Sequence, residues 1–437
     1  MDHRLHQQDT SLDNAGVMPY LPVTLEELST AKSILLIGSN LRHEQPIINH
    51  RVRQASLAKA KVMSINPMDY DFNYRVHAKS VVPVQEMTSS LAKLALVLAG
   101  NRSLSDVEQS LLAGVTVDDT ARKMAELFAT TGRKLVILGQ VAQSHPAFGR
   151  LLQLASLVAD WAGAQVAWLA ESGNSLGACL LGVRSCSGNG LSTQQMLSAN
   201  LSHMILWGID PQADVLGMKS NKIADQVIAF SSFDTQSLRD QADWLLPIAS
   251  YGEEAGTYVN TMGAVQTANA PLTVTGDTKA GWKVLRVLGN MMDIPDCEYV
   301  NLGQVTDAAK LVLGEARAMN RATLLAVTTQ EMAKAHGLSR IAEIDIYSGD
   351  MLVRQAQPLQ AHPLMEQTGK VRLNPFDAQA LGIDGSMVQV QGQYGDIASL
   401  PFVIDARVAQ GSVALGVGVM TNVAGDWVTL TKEQSNV

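Results

Sequence analysis

The sequence predicts an α/β protein: two successive doubly wound α/β domains followed by a small C-terminal β-barrel domain. Three observations carry that reading. Between residues 34 and 168 short apolar runs alternate with stretches of helical periodicity, the pattern of a mostly parallel sheet with helices on both faces. Apolar runs at 204–207, 226–230 and 244–246 form a second alternating set and imply a second sheet. Beyond Lys370 the runs become short and are punctuated by turn glycines, which indicates a small all-β unit.

The elements follow in order. A polar leader to about residue 22 precedes strand 34–37, helix 44–58 and strand 61–65. Helical patterns at 89–99 and 117–131, strand 135–138, helix 147–161 and strand 165–168 complete the first α/β domain, set at residues 1–165. Residues 171–191 carry Gly173, Gly177, Gly182, Gly188 and Gly190 without periodicity and read as a long connection. The second α/β domain, set at 166–345, closes with helical patterns at 279–292 and 305–335. A Pro- and Gln-rich crossing linker spans 346–369, and the barrel domain, 370–437, holds strands at 387–391, 401–404 and 412–415.

Composition narrows the function. Hydrophobic residues make up 46% of the 437 and charged residues only 17%, a lean exterior that suits a subunit covered by partners. The net charge of −8 and the lack of a basic run argue against nucleic-acid binding. No apolar stretch reaches the roughly 20 residues a membrane helix needs, so no direct membrane insertion is expected. The opening residues lack a signal pattern, which points to a cytoplasmic protein. Cys179, Cys186 and Cys297 are isolated, without metal-ligand spacing, and read as reduced thiols. His43 and His50 have no partnering ligand pattern, and His3 and His6 lie in what reads as a frayed leader.

The run Gly252-Glu253-Glu254-Ala255-Gly256-Thr257-Tyr258-Val259-Asn260-Thr261-Met262-Gly263-Ala264-Val265-Gln266 is the most distinctive segment. It follows an apolar strand ended by Pro247 and so falls at a strand's C-terminal edge, where open α/β sheets place ligands. Gly256 and Gly263 are expected to take positive φ or a close backbone approach, while Thr257, Asn260 and Gln266 offer neutral donors and acceptors. Against a site stands a loop whose polar residues bond to its own backbone. Adjacent Glu253 and Glu254 suit solvation better than acid–base work. Asn40 and Arg42 follow strand 34–37, but no G-x-G-x-x-G accompanies them and an NAD site is not expected. Capping and loop bonding by Asn40, a surface ion pair for Arg42 and an Asx turn from Asp210 into Pro211 are the favoured readings.

The same run resembles the E-x-x-G-T-(F/Y)-x-N-x-(E/D)-(G/R)-R-x-Q signature of the molybdopterin oxidoreductase superfamily. Within it the chain looks most like the G subunit of respiratory NADH-quinone oxidoreductase (complex I). Four further stretches carry the likeness: 33–53, which includes Gly38-Ser39-Asn40-Leu41-Arg42-His43-Glu44-Gln45-Pro46; Asn174-Ser175-Leu176-Gly177-Ala178; Val353-Arg354-Gln355-Ala356 with Leu359-Gln360; and Val371-Arg372-Leu373-Asn374-Pro375, at the start of the barrel. One departure is Ala264, where relatives carry arginine.

The resemblance implies the molybdopterin oxidoreductase (formate dehydrogenase/DMSO reductase) fold and a non-catalytic structural fragment, with no cofactor and no metal in this chain. Iron–sulfur clusters that carry electrons from NADH towards quinone are expected upstream of it, with Met1 a fragment or engineered start. Partners would be other peripheral-arm subunits, on the inner face of the cell membrane. A vestigial cleft would draw on Asn40, Arg42, Asp210, Glu253, Gly256, Thr257 and Asn260, without catalytic residues. The alternative is a molybdenum or tungsten bis-pterin oxidoreductase of the formate dehydrogenase kind.

Overall fold

The computed structural model describes residues 1–432 apart from 8, 185–189, 216–221, 317, 334–335, 395, 418–422 and 424. Cys186 lies outside the described residues. The first layer is a parallel five-stranded sheet, β1 Ser33–Ile37, β2 Lys61–Asn66, β3 Val76–Val81, β4 Lys134–Leu138 and β5 Gln165–Trp168, in the order β3-β2-β1-β4-β5. Strand order reverses between β1 and β4, so right-handed crossovers fall on opposite faces. Helix Pro46–Leu57, started by proline at its first turn, covers one face with Ile48, Val52 and Ala55 against Ile34, Leu36, Leu135 and Ile137. Helices Met87–Ala99 and Phe148–Ala162 cover the other against Leu35, Ile37, Val136 and Leu138. Strands sealed on both faces need apolar residues at successive positions, as the fully buried Ile34-Leu35-Leu36-Ile37 shows, and the one buried polar side chain of the strand, Ser33, donates to the Leu127 carbonyl at 2.6 Å.

The second layer is β6 Leu201–Trp207, β7 Ala224–Ser231 and β8 Trp244–Pro247, parallel and in sequential order. Two α/β layers were expected and are present, but this sheet, unlike the doubly wound sheet expected, has no reversal among the described residues and is wound once. Its core is small, built from Leu206, Val227, Ala229, Leu238 of helix Gln236–Gln241, and Met351. A two-stranded hairpin, β9 Gly256–Val259 and β10 Val265–Ala268, follows.

The third unit is a closed six-stranded barrel of β11 Leu338–Ile341, β12 Val371–Leu373, β13 Met387–Gly392, β14 Ile397–Ile404, β15 Ser412–Ala414 and β16 Trp427–Lys432. Its first strand, β11, comes from within the stretch set aside for the second α/β domain, pairing with β15 and β16. Four residues with a single charge gave no local sign of barrel membership; only the distant partners define it. Strand β3 and helix Asp106–Leu112 also escaped the sequence reading, the latter a short helix with a capping box between Ser105 and Glu108.

Candidate functional site

The C-terminal ends of β1, β4, β5 and β6 converge on a cavity of about 340 Å³, completed by the 344–351 segment ahead of the barrel. Position follows from topology: the crevice opens where the order of the first sheet reverses. After β1 the chain turns through Gly38, whose φ is +50° and whose side-chain position lies 2.4 Å from the Ala142 backbone nitrogen, leaving no space for a Cβ. That close approach brings the β1 and β4 loops together.

Glu44 holds the junction. Its carboxylate accepts from the Asn40 backbone N–H at 2.7 Å, the Ser39 hydroxyl at 3.0 Å and the Gln140 backbone N–H at 3.1 Å. Complete burial outweighs these bonds and pushes its carboxyl up to about 7. Next to it, the Asn40 amide donates to Glu343 at 2.8 Å, and Arg372 donates to the other Glu343 oxygen at 2.5 Å. First sheet and barrel are thus joined by a buried chain of polar groups, each with a partner, which favours a single relative placement. Burial also raises the carboxyl of Asp345, which accepts from Thr368 at 2.8 Å, and lowers the basicity of His43.

On the opposite wall His6 pairs with Glu171, whose second oxygen accepts from Gln143 at 3.2 Å. Desolvation opposes a charge on this imidazole, but Glu171 and Asp214 outweigh it and raise its pKa. Asp214 is bound by Arg354 at 2.7 Å and by the Asp210 backbone N–H at 2.6 Å. His6 therefore does not lie in a frayed leader. Arg4, His6, Gln7 and Asp9 are buried, with Asp9 accepting from the Gly149 backbone N–H at 2.7 Å and Arg4 paired to Asp2 and Asp13. A polar segment without periodicity gives no sign of burial when its partners stand far away in sequence.

The residues singled out from sequence separate into two places. Asn40 and Asp210 adjoin the cavity; the Asn40 side chain, spent on Glu343, makes the expected cap on helix Leu41–Glu44 no more than Asp210 does on Pro211–Asp214, and Asp210 is buried with one carboxylate oxygen lacking a partner, so the expected Asx turn is absent. Arg42 turns outward to an exposed ion pair with Asp71 at 2.9 Å. Glu253, Gly256, Thr257 and Asn260 sit in or beside the hairpin. Glu253 accepts from the Ser250 backbone N–H at 3.1 Å, and Thr257 meets Thr306 at 3.4 Å. Asn260 accepts from the backbone N–H groups of Met262 and Ala264, both at 3.0 Å, so the signature asparagine shapes its own turn. Gly263 has φ +82° as expected. Gly256 does not take positive φ, and an added Cβ would meet only the flexible Tyr258 ring, at 3.2 Å.

A family model described as molybdopterin oxidoreductase matches residues 5–291. The chain belongs to the molybdopterin oxidoreductase family. It is similar to the mitochondrial 78 kDa subunit of NADH-ubiquinone oxidoreductase from Candida albicans, 25% identical over 320 residues that make up 71% of this chain and 38% of that protein. The 75 kDa subunit from Reclinomonas americana is 23% identical over 66% of this chain and 38% of its own length, and the 78 kDa subunit from Neurospora crassa 24% identical over 64% and 33%. The chain thus spans little more than a third of these relatives. Among solved structures, acetylene hydratase from Pelobacter acetylenicus shares the fold, with a TM-score of 0.59 and 12% identity over 93% of this chain and 73% of that one.

Membership in this family implies a pterin cofactor, and the cleft can be tested for it. Five carboxylates line the cavity: Glu44, Glu171, Asp214, Asp345 and Asp350. Among the described residues no Lys or Arg lines it, and the nearby Arg354 and Arg372 are engaged by Asp214 and Glu343. A phosphate-bearing pterin needs cationic forks or free backbone N–H groups; this molybdopterin-oxidoreductase cleft offers carboxylates, and the residues do not fit the group. Sequence reasoning missed Glu44, Glu171, Asp214, Glu343, Asp345 and Arg372. A usable signal existed for one of the acids: Glu171 is an isolated charge just past the apolar run of β5.

Proposed function

We propose that this chain is a non-catalytic structural part of an NADH-quinone oxidoreductase subunit, retaining an enzyme fold as scaffold and contact surface in the peripheral arm of complex I. The observation that carries it is the cleft: where a pterin enzyme needs room for an anionic cofactor, this chain has buried carboxylates engaged by its own donors. The relatives' names support the same reading. In this reading the iron–sulfur clusters that pass electrons from NADH towards quinone lie in parts of the subunit outside this chain. The assembly sits at the inner, cytoplasmic face of the cell membrane; among the described residues no helix is long and apolar enough to cross it.

The test is direct. The purified chain is expected to be colourless and free of stoichiometric iron, molybdenum and tungsten, to give no pterin fluorescence after oxidation, and to co-purify with other oxidoreductase subunits when expressed beside them. Turnover of formate or nitrate by the chain alone, or bound molybdenum with pterin, would replace this reading by a bis-pterin oxidoreductase.

A further inference from the structure

We infer that the cavity at the converging strand ends binds an aliphatic diamine or polyamine, its ammonium groups held by the acids of the two opposite walls. Size and lining come first. The space, about 340 Å³, is at the lower end of what small-molecule sites occupy. Glu44 and Asp345 stand on the wall that joins the first sheet to the barrel, and Glu171 and Asp214 stand with His6 on the other. Much of the remaining lining is aliphatic, with Leu5, Leu169, Ile209 and Ile344. Gly349 and Asp350 are exposed while lining the cavity and so mark its mouth.

Acids alone would not make a site, because most of these carboxylates already accept from the chain's own donors. Two buried acceptors do not. Asp210, 5% exposed, follows the lining residue Ile209 and gives its backbone N–H to Asp214 at 2.6 Å, while its Oδ1 has no partner. His6, itself in the lining and 9% exposed, spends Nδ1 on Glu171; the Asp214 backbone lies near, but no bond of normal geometry reaches Nε2. A carboxylate oxygen buried without a donor is unfavourable, and a ligand N–H relieves it. On the imidazole, Glu171 and Asp214 favour a proton in the chain by itself. A ligand ammonium takes that proton's place between the same two residues, and the proton leaves to solvent.

The lining also selects the kind of cation. With the adjoining Asp210 and Glu343, seven acids stand against the guanidiniums of Arg354 and Arg372. Even with Glu44 and Asp345 protonated and His6 charged, five carboxylates meet three cations. A metal ion does not suit the space, since among the described residues no group of three or more His, Cys, Asp or Glu is placed to hold one. Nor does a quaternary ammonium, because no Phe, Tyr or Trp lines the cavity among the described residues. A primary ammonium brings three N–H donors on an apolar stem, which matches carboxylates set among aliphatic side chains. Acids on both walls call for an amine at each end of that stem.

Calorimetric titration of the purified chain with putrescine and with spermidine, repeated in the presence of magnesium ion at constant ionic strength, tests this. The expected result is one saturable site for at least one of the two amines, which magnesium does not compete away. Asp210→Asn keeps the side chain's shape, removes the unpartnered carboxylate and should weaken binding about 10-fold or more. Gly349→Trp fills the mouth, where an added Cβ meets nothing within 4 Å, and should weaken it by at least about 10-fold as well. Asp119→Asn, at a fully exposed carboxylate of the first layer, should leave it unchanged. Thermal melts establish that each variant is folded; if Asp210→Asn is not, Gly349→Trp decides alone. Absence of saturable binding, binding that both cleft variants leave intact, or equal competition by magnesium overturns the proposal. None of these outcomes touches the assembly reading, which metal and pterin content and co-purification decide.

Discussion

Both α/β sheets are parallel, both contain strand runs apolar on two sides, such as Ile34–Ile37 and Met204–Trp207, and both end their first strand in a positive-φ glycine, Gly38 or Gly208. Only one is self-sufficient. The five-stranded sheet reverses its strand order and receives helices on both faces, so Leu35 and Leu36, neighbours pointing oppositely, are each fully buried. The three-stranded sheet grows one way, and of the neighbours Ile205 and Leu206 the first is 58% and the second 5% exposed. Winding, more than composition, decides whether a sheet completes its own core.

The glycines give the largest contrast. Gly38→Ala is expected to destabilise the chain by about 4 kcal/mol, because a Cβ there collides with the Ala142 backbone and φ is unfavourable as well. Gly208→Ala, with the same sign of φ but nothing within 4 Å, should cost only about 1 kcal/mol. Equal losses in urea unfolding would erase the distinction between a packed and an open strand end. Side-chain truncation comes next: Leu35→Ala and Leu36→Ala should each lose about 3 kcal/mol, and Leu206→Ala a similar amount, while Ile205→Ala loses under about 1 kcal/mol in the isolated chain. A loss of about 3 kcal/mol at Ile205 would show that the face is covered without a partner.

Acidity sharpens the comparison at the cleft that the sheets share. The folded pKa of Glu44, about 7, lies above the ordinary 4.5. Between those values the unfolded chain has released a proton that the folded chain retains, so stability falls as pH rises, and the loss is complete above pH 7 at about 3 kcal/mol. His6, with a raised pKa, adds stability below about 6.5 that is likewise lost as pH rises through its folded value. His43, whose pKa burial lowers, tilts the opposite way. The clean measurement is therefore Glu44→Gln, expected to flatten the decline between pH 5 and 7 in parallel thermal melts. An unchanged slope would mean that Glu44 is ionised throughout. The smallest effect belongs to Arg42→Ala, which removes an exposed ion pair and should change stability by less than about 0.5 kcal/mol.

Much of this was legible locally. Apolar runs at β1, β4 and β6 announced strands because strand burial needs apolar residues in sequence, and the Asn260 turn was legible because an asparagine bonds to neighbours within four residues. The cavity was not. Glu44 looked like an ordinary helix residue, and its role depends on Gln140, 96 positions away, and through Asn40 on Glu343, 303 positions away.

By itself, then, the amino-acid order determined the layers, the family signature and the two-sided apolar character of strands such as β1 and β4, since these rest on periodicity and on contacts between near neighbours. Tertiary structure alone decided that Arg4, His6, Gln7 and Asp9 are buried, that β11 enters the barrel, that acids close the cleft and that, among the described residues, one sheet face keeps Ile205, Trp244 and Leu246 exposed. Each of those outcomes turns on strand order and on charges meeting across more than a hundred residues, and a hydrogen bond or a crossover carries no local trace of its distant partner.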